Sequence, residues 1–343
     1  MKSKVLELLK HSDDYISGQR ICEQLGVSRT AVWKVMNRLR EEGYVIDSVN
    51  NKGYKLLSCP DLLSEDLISS SLHERQTDFI RKVVYLPDVD STNTYAKSAA
   101  EHGLPDRTLV TADRQTSGKG RRGRSFSSPG GVGIFMTLLL KPDIPPLKAS
   151  MLTLPAGMAV CQALREITGI PAMIKWPNDI VINGKKICGI LTEMSAEMDS
   201  INHIVIGIGI NVNNPEFPED IRQVATSALL ETGKPFRRSE IIAGVMAWFE
   251  KYYNTFLQTS DLSLLKEEYN SLMINTNRKV LVIRPDEQYE AIARSIDDDG
   301  ELIIEQDGGT VKIIPQLPGG NGLGSVRRSI GTRCLWICIM KIM

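Results

Sequence analysis

The sequence predicts an α+β protein built from several domains, and three observations support this. Apolar residues recur at the helical period near the N-terminus and are followed by a short hairpin pattern. In the middle of the chain, strand-like runs alternate with helical segments, and Asn183-Gly184 joins two of these runs, which is a strong hairpin signal. An obligate antiparallel hairpin disfavours an all-parallel sheet, so we expect a mixed sheet. Short strands separated by Asp-Gly turns then predict a small β-barrel.

Composition shifts divide the 343 residues into four predicted parts. Residues 1–60 hold the N-terminal helices and hairpin, and residues 61–270 hold seven strand candidates and three helix candidates. Residues 271–314 hold the four short strands of the predicted barrel. Residues 315–343 form an atypical tail, rich in Pro and Gly at its start, which matches no domain pattern and could be disordered.

The N-terminal part has the pattern of a winged helix-turn-helix. Ser17 and Ser28 are suited to cap the second and third helices, and Gly43 is suited to end the third. A turn sequence around Lys52 then separates two short strands, the wing. The third helix predicts an exposed face of polar, aromatic and basic side chains, namely Ser28, Arg29, Thr30, Trp33, Lys34 and Asn37. In this fold such a face enters the DNA major groove while a wing lysine meets phosphate, although a winged helix can also serve protein contacts.

Charge and cysteine usage exclude several classes of protein. The formal net charge is zero, so the chain as a whole is not a nucleic-acid binder, but residues 1–60 carry ten Lys/Arg against seven Asp/Glu. The six cysteines are scattered without a C-x-x-C pair, which disfavours structural zinc and disulfides and suits a reducing cytoplasm. The polar first helix is unlike a signal peptide. We expect no apolar run long enough to span a membrane.

The segment Gln115–Arg124, QTSGKGRRGR, is the most informative stretch of the sequence. Its glycines let backbone N–H groups approach a ligand, and its four cations can hold an anion, which predicts a loop that closes over a phosphorylated small molecule. The spacing Gly118–Gly120–Gly123 resembles the dinucleotide-binding fingerprint, but no helix can start in the SFSSPGG that follows. The segment also fails the P-loop spacing. A solvated basic loop, or a stripe that contacts nucleic acid, is the alternative.

Three further segments carry polar groups in unusual places. Asp90-Ser91-Thr92-Asn93 follows a strand and could simply cap a helix. Lys175-Trp176-Pro177-Asn178-Asp179 lies between two apolar strands, where polar residues are costly to bury unless they bind something. Gly184–Leu191, GKKICGIL, either presents lysines to a ligand or forms a solvated surface hairpin.

In this order and spacing, the four segments resemble those of the biotin protein ligases. With the winged helix in front, residues 1–314 resemble the bifunctional bacterial form, whose fold is a mixed-sheet ligase domain of the biotin/lipoate ligase type and a small SH3-like barrel. The resemblance implies that biotin and ATP form biotinyl-5′-AMP and that biotin passes to a lysine of the biotin carboxyl carrier protein. It also implies that the adenylate-bound protein forms a homodimer that represses transcription at operator DNA.

The resemblance also implies roles for individual residues. Lys186, Arg121 and Asp179 would be catalytic. The biotin-binding residues would be Ser91, Thr92, Asn93, Gln115, Gly118, Lys119, Gly120, Arg121 and Lys186. The residues that contact ATP or the adenylate would be Lys119, Arg121, Arg122, Phe126, Lys175, Asn178, Lys186 and Asn211. Mg²⁺ would accompany ATP without a dedicated set of metal ligands.

The chain departs from the family pattern in two places. Lys119 stands where the family has arginine, which keeps the charge and loses the bidentate fork. The tail after Ile314 lacks the acidic final strand of the family. A transcription regulator that only senses a ligand, and a ligase for lipoate or another acid, are the alternative functions.

Overall fold

The computed structural model describes residues 1–12, 14–41, 43–58, 61–197, 200–283, 288–306, 309–314 and 339–342. The chain divides into two compact units, Met1–Leu62 and Leu63–Met343. Each unit has a buried apolar cluster of its own, so each is treated by itself below.

The first unit contains three helices and a hairpin, as the sequence predicts. Ser17 caps the second helix by accepting a hydrogen bond from the Arg20 N–H, and Gly26 ends it with a left-handed backbone. Gly53 begins the second hairpin strand at φ +115°, and a Cβ there would lie 2.1 Å from the Ile16 carbonyl oxygen, so only glycine fits. The elements are α1 (Lys2–Lys10), α2 (Gly18–Leu25), α3 (Arg29–Glu41), β1 (Val45–Val49) and β2 (Gly53–Ser58).

The second unit is organised around a mixed sheet of seven strands, in the order β3-β4-β5-β9-β8-β7-β6. Only β3 and β4 run parallel, and the other strand pairs of this sheet are antiparallel. Asn183 and Gly184 both adopt positive φ in the turn between β7 and β8, so the predicted hairpin and the predicted α+β class are confirmed. The strands are β3 (Lys82–Val89), β4 (Thr108–Gln115), β5 (Gly133–Leu140), β6 (Met173–Lys175), β7 (Asp179–Ile182), β8 (Lys185–Ala196) and β9 (Ile201–Asn211).

Helices cover both faces of this sheet. The main apolar core contains residues of α6 and α8 with one face of the sheet, and a smaller cluster places α5 against the other face. These three helices agree with the helices predicted from the sequence, whereas α4, α7 and α9 were not predicted. The helices are α4 (Glu65–Glu74), α5 (Thr92–Glu101), α6 (Thr153–Thr168), α7 (Ala228–Thr232), α8 (Arg238–Thr259) and α9 (Lys266–Leu272).

The expectation that no apolar run is long enough to span a membrane was wrong. Within the described residues, Pro146–Thr168 passes that test by length and composition, because a 3-10 turn leads directly into α6. However, 78% of its most apolar window is buried inside the protein, as expected for the core helix of a folded unit.

A second, antiparallel sheet closes the C-terminal part of this unit in the order β13-β12-β11-β10-β14. The SH3-like closure of this sheet into a barrel stays a prediction. The tail residues 315–338 lie outside the described part, but 339–342 form an unpredicted strand along β10, whose edge offers unpaired backbone groups. The strands are β10 (Arg278–Ile283), β11 (Gln288–Ile296), β12 (Leu302–Gln306), β13 (Thr310–Ile314) and β14 (Ile339–Ile342).

A buried arginine fixes both ends of the glycine-rich connection between β4 and β5. Arg238, the first residue of α8, is only 1% exposed. Its Nη1 donates to Asp113 Oδ1 at 2.9 Å and to the Gly133 carbonyl at 3.1 Å. Asp113 lies near the end of β4 and Gly133 starts β5, so one guanidinium ties together the two strands that carry the loop.

Arg238→Met should therefore destabilise the protein by about 3 kcal/mol, the lower end for breaking a buried ion pair, because the Asp113 side chain keeps 29% exposure. The measurement is urea unfolding followed by circular dichroism. Arg237→Met is the matched control, since Arg237 pairs with Glu240 at 3.1 Å on the surface and should change stability by less than ~1 kcal/mol. An equal loss of stability in the two variants would contradict the stabilising role of the Arg238 contacts.

Candidate active site

The four segments singled out in the sequence meet in one cleft on the face of the large sheet that carries α5. The cleft is open to solvent, and the space between and in front of its walls amounts to about 470 Å³. Ten of the predicted site residues line it: Ser91, Thr92, Asn93, Gln115, Lys119, Gly120, Arg121, Phe126, Asn178 and Lys186. Residues distant in the sequence are thus brought to one place by the pairing of β5, β9 and β8.

The floor of the cleft consists of strand glycines, and the place of each missing Cβ is taken by a cleft side chain. A Cβ on Gly207 would lie 2.2 Å from Asn93 Oδ1, and one on Gly209 would lie 2.7 Å from the Phe126 ring. A Cβ on Gly189 would lie 2.8 Å from Lys186 Nζ. A side chain at Gly207 or Gly209 would displace Asn93 or Phe126, and one at Gly189 would push aside the end of the Lys186 side chain.

One end of the cleft is lined with amide and hydroxyl groups. Gln115 Oε1 accepts from the Thr92 N–H at 2.9 Å and lies 3.1 Å from Thr92 Oγ1. Gln115 Nε2 donates to Ser128 Oγ at 3.0 Å, which fixes the orientation of the amide. Thr137 Oγ1, buried on β5, lies 2.8 Å from Thr92 Oγ1. This end offers uncharged polar groups in a fixed arrangement, suited to a small polar ring.

The other end of the cleft is positively charged. Lys186 Nζ lies 2.7 Å from Asp179 Oδ1, and this pair keeps partial exposure, 38% and 27%. Arg121 Nη1 donates to Asn178 Oδ1 at 2.9 Å. Lys119 Nζ donates to Thr94 Oγ1 at 2.9 Å, so the lysine of the loop reaches the first turn of α5. Three cations with one carboxylate form a site for an anion.

Backbone contacts hold Lys186 and Asn178 in place. The Lys186 N–H donates to the Val224 carbonyl at 2.7 Å, and the Lys186 carbonyl accepts from the Thr226 N–H at 2.9 Å. Asn178 lies in the turn between β6 and β7, directly after Trp176-Pro177. Trp176 is buried, and its Nε1 donates to the Gly300 carbonyl at 3.1 Å. The C-terminal sheet therefore anchors the segment that presents Asn178 and Asp179.

Some predicted site residues do not line the cleft. Asn211 is buried, and its Nδ2 donates to the Thr226 carbonyl at 3.1 Å. Gly118 packs beneath the loop, where a Cβ would lie 2.4 Å from the Phe126 carbonyl oxygen. Lys175 ends β6 and is not among the lining residues, and the Arg122 side chain lies outside the described part.

Several residues that shape the cleft were not predicted from the sequence. Thr137 is the one polar side chain in the apolar run of β5, and Gly207 and Gly209 alternate along β9, so both signals were present in the sequence. Glu193 gave no signal; its Oε2 accepts from Asn93 Nδ2 at 2.8 Å. The carboxylate is recognisable only once α5 lies against β8.

The charged groups of the cleft are mainly lysine and arginine side chains. Cys188 is fully buried next to Lys186, and burial raises the pKa of its thiol far above the ordinary value, so it stays protonated. Among the side chains that the structure describes, no group of three or more His, Cys, Asp or Glu residues could hold a metal ion. The charge in the cleft is therefore carried by lysine and arginine.

Most of the predicted DNA-binding residues lie along the exposed side of α3. Ser28, Arg29, Thr30, Trp33 and Lys34 are exposed at the start of α3, and Trp33 retains 55% of its surface. Asn37 is half-buried one turn later, and Lys52 is exposed between β1 and β2. The buried side of the same helix carries apolar residues, so this surface is the solvent side of an amphipathic helix.

Family comparisons match three parts of the chain. The biotin/lipoate A/B protein ligase family matches residues 85–211, which include all four segments of the cleft. A helix-turn-helix domain matches residues 2–55, and the biotin protein ligase C-terminal domain matches residues 276–315.

Individual relatives match over most of the chain. The bifunctional ligase/repressor BirA of Bacillus subtilis is 41% identical over 319 residues, covering 91% of this chain and 96% of the relative. The protein of the same name from Escherichia coli is 30% identical over 305 residues, covering 89% and 92%. The structure of the Aquifex aeolicus biotin protein ligase in complex with biotin and ATP is 32% identical with a TM-score of 0.60, covering 68% of this chain and 96% of that one. The chain belongs to the biotin/lipoate A/B protein ligase family, and within it to the bifunctional ligase/repressors.

Proposed function

We propose that this protein is an ATP-dependent biotin protein ligase that also represses transcription at operator DNA. The observation that carries the proposal is a single cleft with an uncharged polar end and a cationic end that contains Lys186. Biotin has the matching chemistry, a polar cyclic urea at one end and a carboxylate at the other.

The polar end would orient the urea ring. Gln115 Oε1 and the Thr92 hydroxyl face the cleft from fixed positions, 3.1 Å apart. Because they are held before the ligand arrives, little ordering entropy is lost when a rigid ring binds. The carboxylate of biotin would then extend towards Lys186 and the glycine-rich loop.

In the first half-reaction, a carboxylate oxygen of biotin attacks the α-phosphorus of ATP and pyrophosphate leaves. Two anions must approach each other, so the main need is positive charge at the reacting atoms. Lys186 would bridge the carboxylate and the phosphate, while Arg121 and Lys119 close over the phosphate from the loop. Phe126, which lies over Gly209, would stack on adenine, and Asn178 would hold Arg121. Mg²⁺ enters as part of the Mg·ATP substrate.

In the second half-reaction, the amine of a carrier lysine attacks the acyl carbon of biotinyl-5′-AMP and AMP leaves. The amine must lose a proton, and Asp179 is the carboxylate near the reacting centre, 2.7 Å from Lys186 Nζ. The acceptor would be the biotin carboxyl carrier protein. The proposal includes the cytoplasmic location that the sequence predicts.

Repression would use the first unit. The exposed start of α3 would enter the major groove, and Lys52 would meet phosphate. A homodimer formed in the adenylate-bound state would present two copies of this surface to a palindromic operator. The loop Gly118–Gly123 would couple the two activities, since an adenylate that orders its backbone also changes the surface available to a second subunit.

A carrier-biotinylation assay with and without Mg·ATP tests the ligase directly. Replacing biotin by lipoate in the same assay separates a biotin ligase from a lipoate ligase. A regulator that only senses a ligand would bind biotin and DNA and transfer nothing to the carrier.

Lys186→Ala should lower the rate of biotin-dependent ATP–pyrophosphate exchange by ~10²-fold or more, because the main stabiliser of the crowded anions is removed. Lys185→Ala is the matched control, since Lys185 is the exposed neighbour and does not line the cleft. Exchange at the wild-type rate in Lys186→Ala would contradict the role of Lys186.

Gly209→Ala should raise the KM for ATP by ~10-fold or more, because the new methyl group would displace the Phe126 ring that we place against adenine. The measurement is steady-state exchange at saturating biotin. Gly157→Ala serves as the control, since a Cβ there meets its neighbours no closer than 3.8 Å. An unchanged KM for ATP in Gly209→Ala would show that Phe126 is not the adenine contact.

A double variant, Arg29→Ala with Lys34→Ala, should weaken operator binding at least ~10-fold and leave carrier biotinylation unchanged, because both cations lie on the exposed face of α3. Binding is measured by fluorescence anisotropy with the adenylate present and at one salt concentration, since phosphate contacts are salt-dependent. Lys10→Ala, an exposed cation on α1, is the control. Equal operator affinity in the wild type, the double variant and Lys10→Ala would show that α3 does not contact the operator.

A further inference from the structure

Both N–H groups of the Asn93 side-chain amide donate hydrogen bonds inside the protein. Asn93 is 4% exposed. Its Nδ2 donates to Glu193 Oε2 at 2.8 Å and to the Leu191 carbonyl at 3.3 Å. Both partners can only accept, so the two amide hydrogens have fixed destinations and the amide cannot rotate by 180°. Lys97 Nζ, 2.7 Å from the other oxygen of Glu193, keeps that carboxylate in position.

This orientation determines the direction of the next hydrogen bond. Asn93 Oδ1 lies 2.6 Å from Thr137 Oγ1 and has no proton to give, so it takes the hydroxyl proton of Thr137. Thr137 Oγ1 also lies 2.8 Å from Thr92 Oγ1. With its own proton directed to Asn93, Thr137 can only accept from Thr92.

The same reasoning fixes what Thr92 and Gln115 offer to the cleft. The Thr92 proton has two internal acceptors, Thr137 Oγ1 and Gln115 Oε1. Gln115 points its oxygen to Thr92 because its Nε2 donates to Ser128 Oγ, whose proton goes to the Phe126 carbonyl at 3.0 Å. Towards the cleft, Thr92 Oγ1 and Gln115 Oε1 therefore both present lone pairs.

From this chain of hydrogen bonds we infer that Glu193 is a positioning residue that sets the hydrogen-bond polarity of the polar end of the cleft. Acting through Asn93 and Thr137, it makes Thr92 an acceptor, so that the cleft selects a ring with N–H donors. The inference rests on the proposed function, in which that ring is the cyclic urea of biotin. Glu193 does not line the cleft and acts only through Asn93.

Glu193→Gln tests the inference because a glutamine amide can donate to Asn93 Oδ1. Lys97 holds the glutamine oxygen, so the glutamine Nε2 faces Asn93, which turns at the cost of its 3.3 Å bond to the Leu191 carbonyl and donates to Thr137. Thr137 can then donate to Thr92, whose proton is left with Gln115 Oε1 as its remaining internal acceptor and can turn to the ligand. We expect the KM for biotin to rise ~10-fold, with the KM for ATP and kcat changed by less than ~2-fold. Lys97→Met is the matched control, because it removes the outer partner of Glu193 and keeps the carboxylate on Asn93; its KM for biotin should stay within ~2-fold.

Substrate analogues give a measurement that loss of structure alone would not move. In the two cyclic carbamate analogues of biotin, one or the other ureido N–H is replaced by a ring oxygen. The wild-type cleft should reject the isomer with oxygen opposite Thr92 by ~10²-fold or more relative to biotin, since two lone pairs would face each other. In Glu193→Gln this ratio should fall ~10-fold.

Two variants of Thr137 complete the test if Glu193→Gln folds poorly. Thr137→Val removes the acceptor for the Thr92 proton and should also lower the ratio, whereas Thr137→Ser keeps the hydroxyl and should preserve it. An unchanged ratio in both Glu193→Gln and Thr137→Val would overturn the role of Glu193. A wild-type protein that shows no biotin-dependent exchange would instead overturn the proposed function itself.

Discussion

The absence of side chains at three central strand positions is the constraint on which the rest of the site depends. Gly189, Gly207 and Gly209 lie where β8 and β9 cross the middle of the large sheet. Any Cβ at these positions would come within 3.0 Å of a cleft side chain. Glycine in a strand interior normally weakens a sheet, so its presence three times in neighbouring strands indicates a close approach by other groups. Here those groups are an amide, an aromatic ring and a lysine.

The cations of the cleft come from two kinds of support, a loop and a strand. Lys119 and Arg121 belong to a connection between strands, whereas Lys186 belongs to the start of β8. Each is held by a neutral or acidic oxygen, on Thr94, Asn178 or Asp179. Cations that already have partners repel one another less, and each partner can be exchanged for a phosphate or carboxylate oxygen. Arg238 holds the two ends of the connection that carries Lys119 and Arg121.

The C-terminal sheet contributes to the same site through one tryptophan. The indole Nε1–H of Trp176 donates to the Gly300 carbonyl, and the backbone N–H of Trp176 donates to Asn275 Oδ1 at 2.9 Å. Because Asn178 and Asp179 follow Trp176 by two and three residues, the contacts of Trp176 help to place the groups that pair with Arg121 and Lys186. The polar residues between β6 and β7 therefore make two kinds of contact. Trp176 contacts the C-terminal part of the unit, and Asn178 and Asp179 contact the cations of the cleft.

The sequence by itself determined the classes of element and the chemistry of the site. Caps at Ser17, the Asn183-Gly184 turn and the apolar periodicity specify local structure, because each acts over a few residues. The segments around Thr92, Gln115, Asn178 and Lys186 predicted a polar and cationic site, because their residue types are visible locally. What only the tertiary structure decided is which of these groups meet. Asn211 and Asn93 are chemically alike. However, Asn211 donates to the Thr226 carbonyl away from the cleft, whereas Asn93 lines the cleft over Gly207. Glu193 gains its partners only where α5 packs on β8, since a contact between residues 100 positions apart has no local signature.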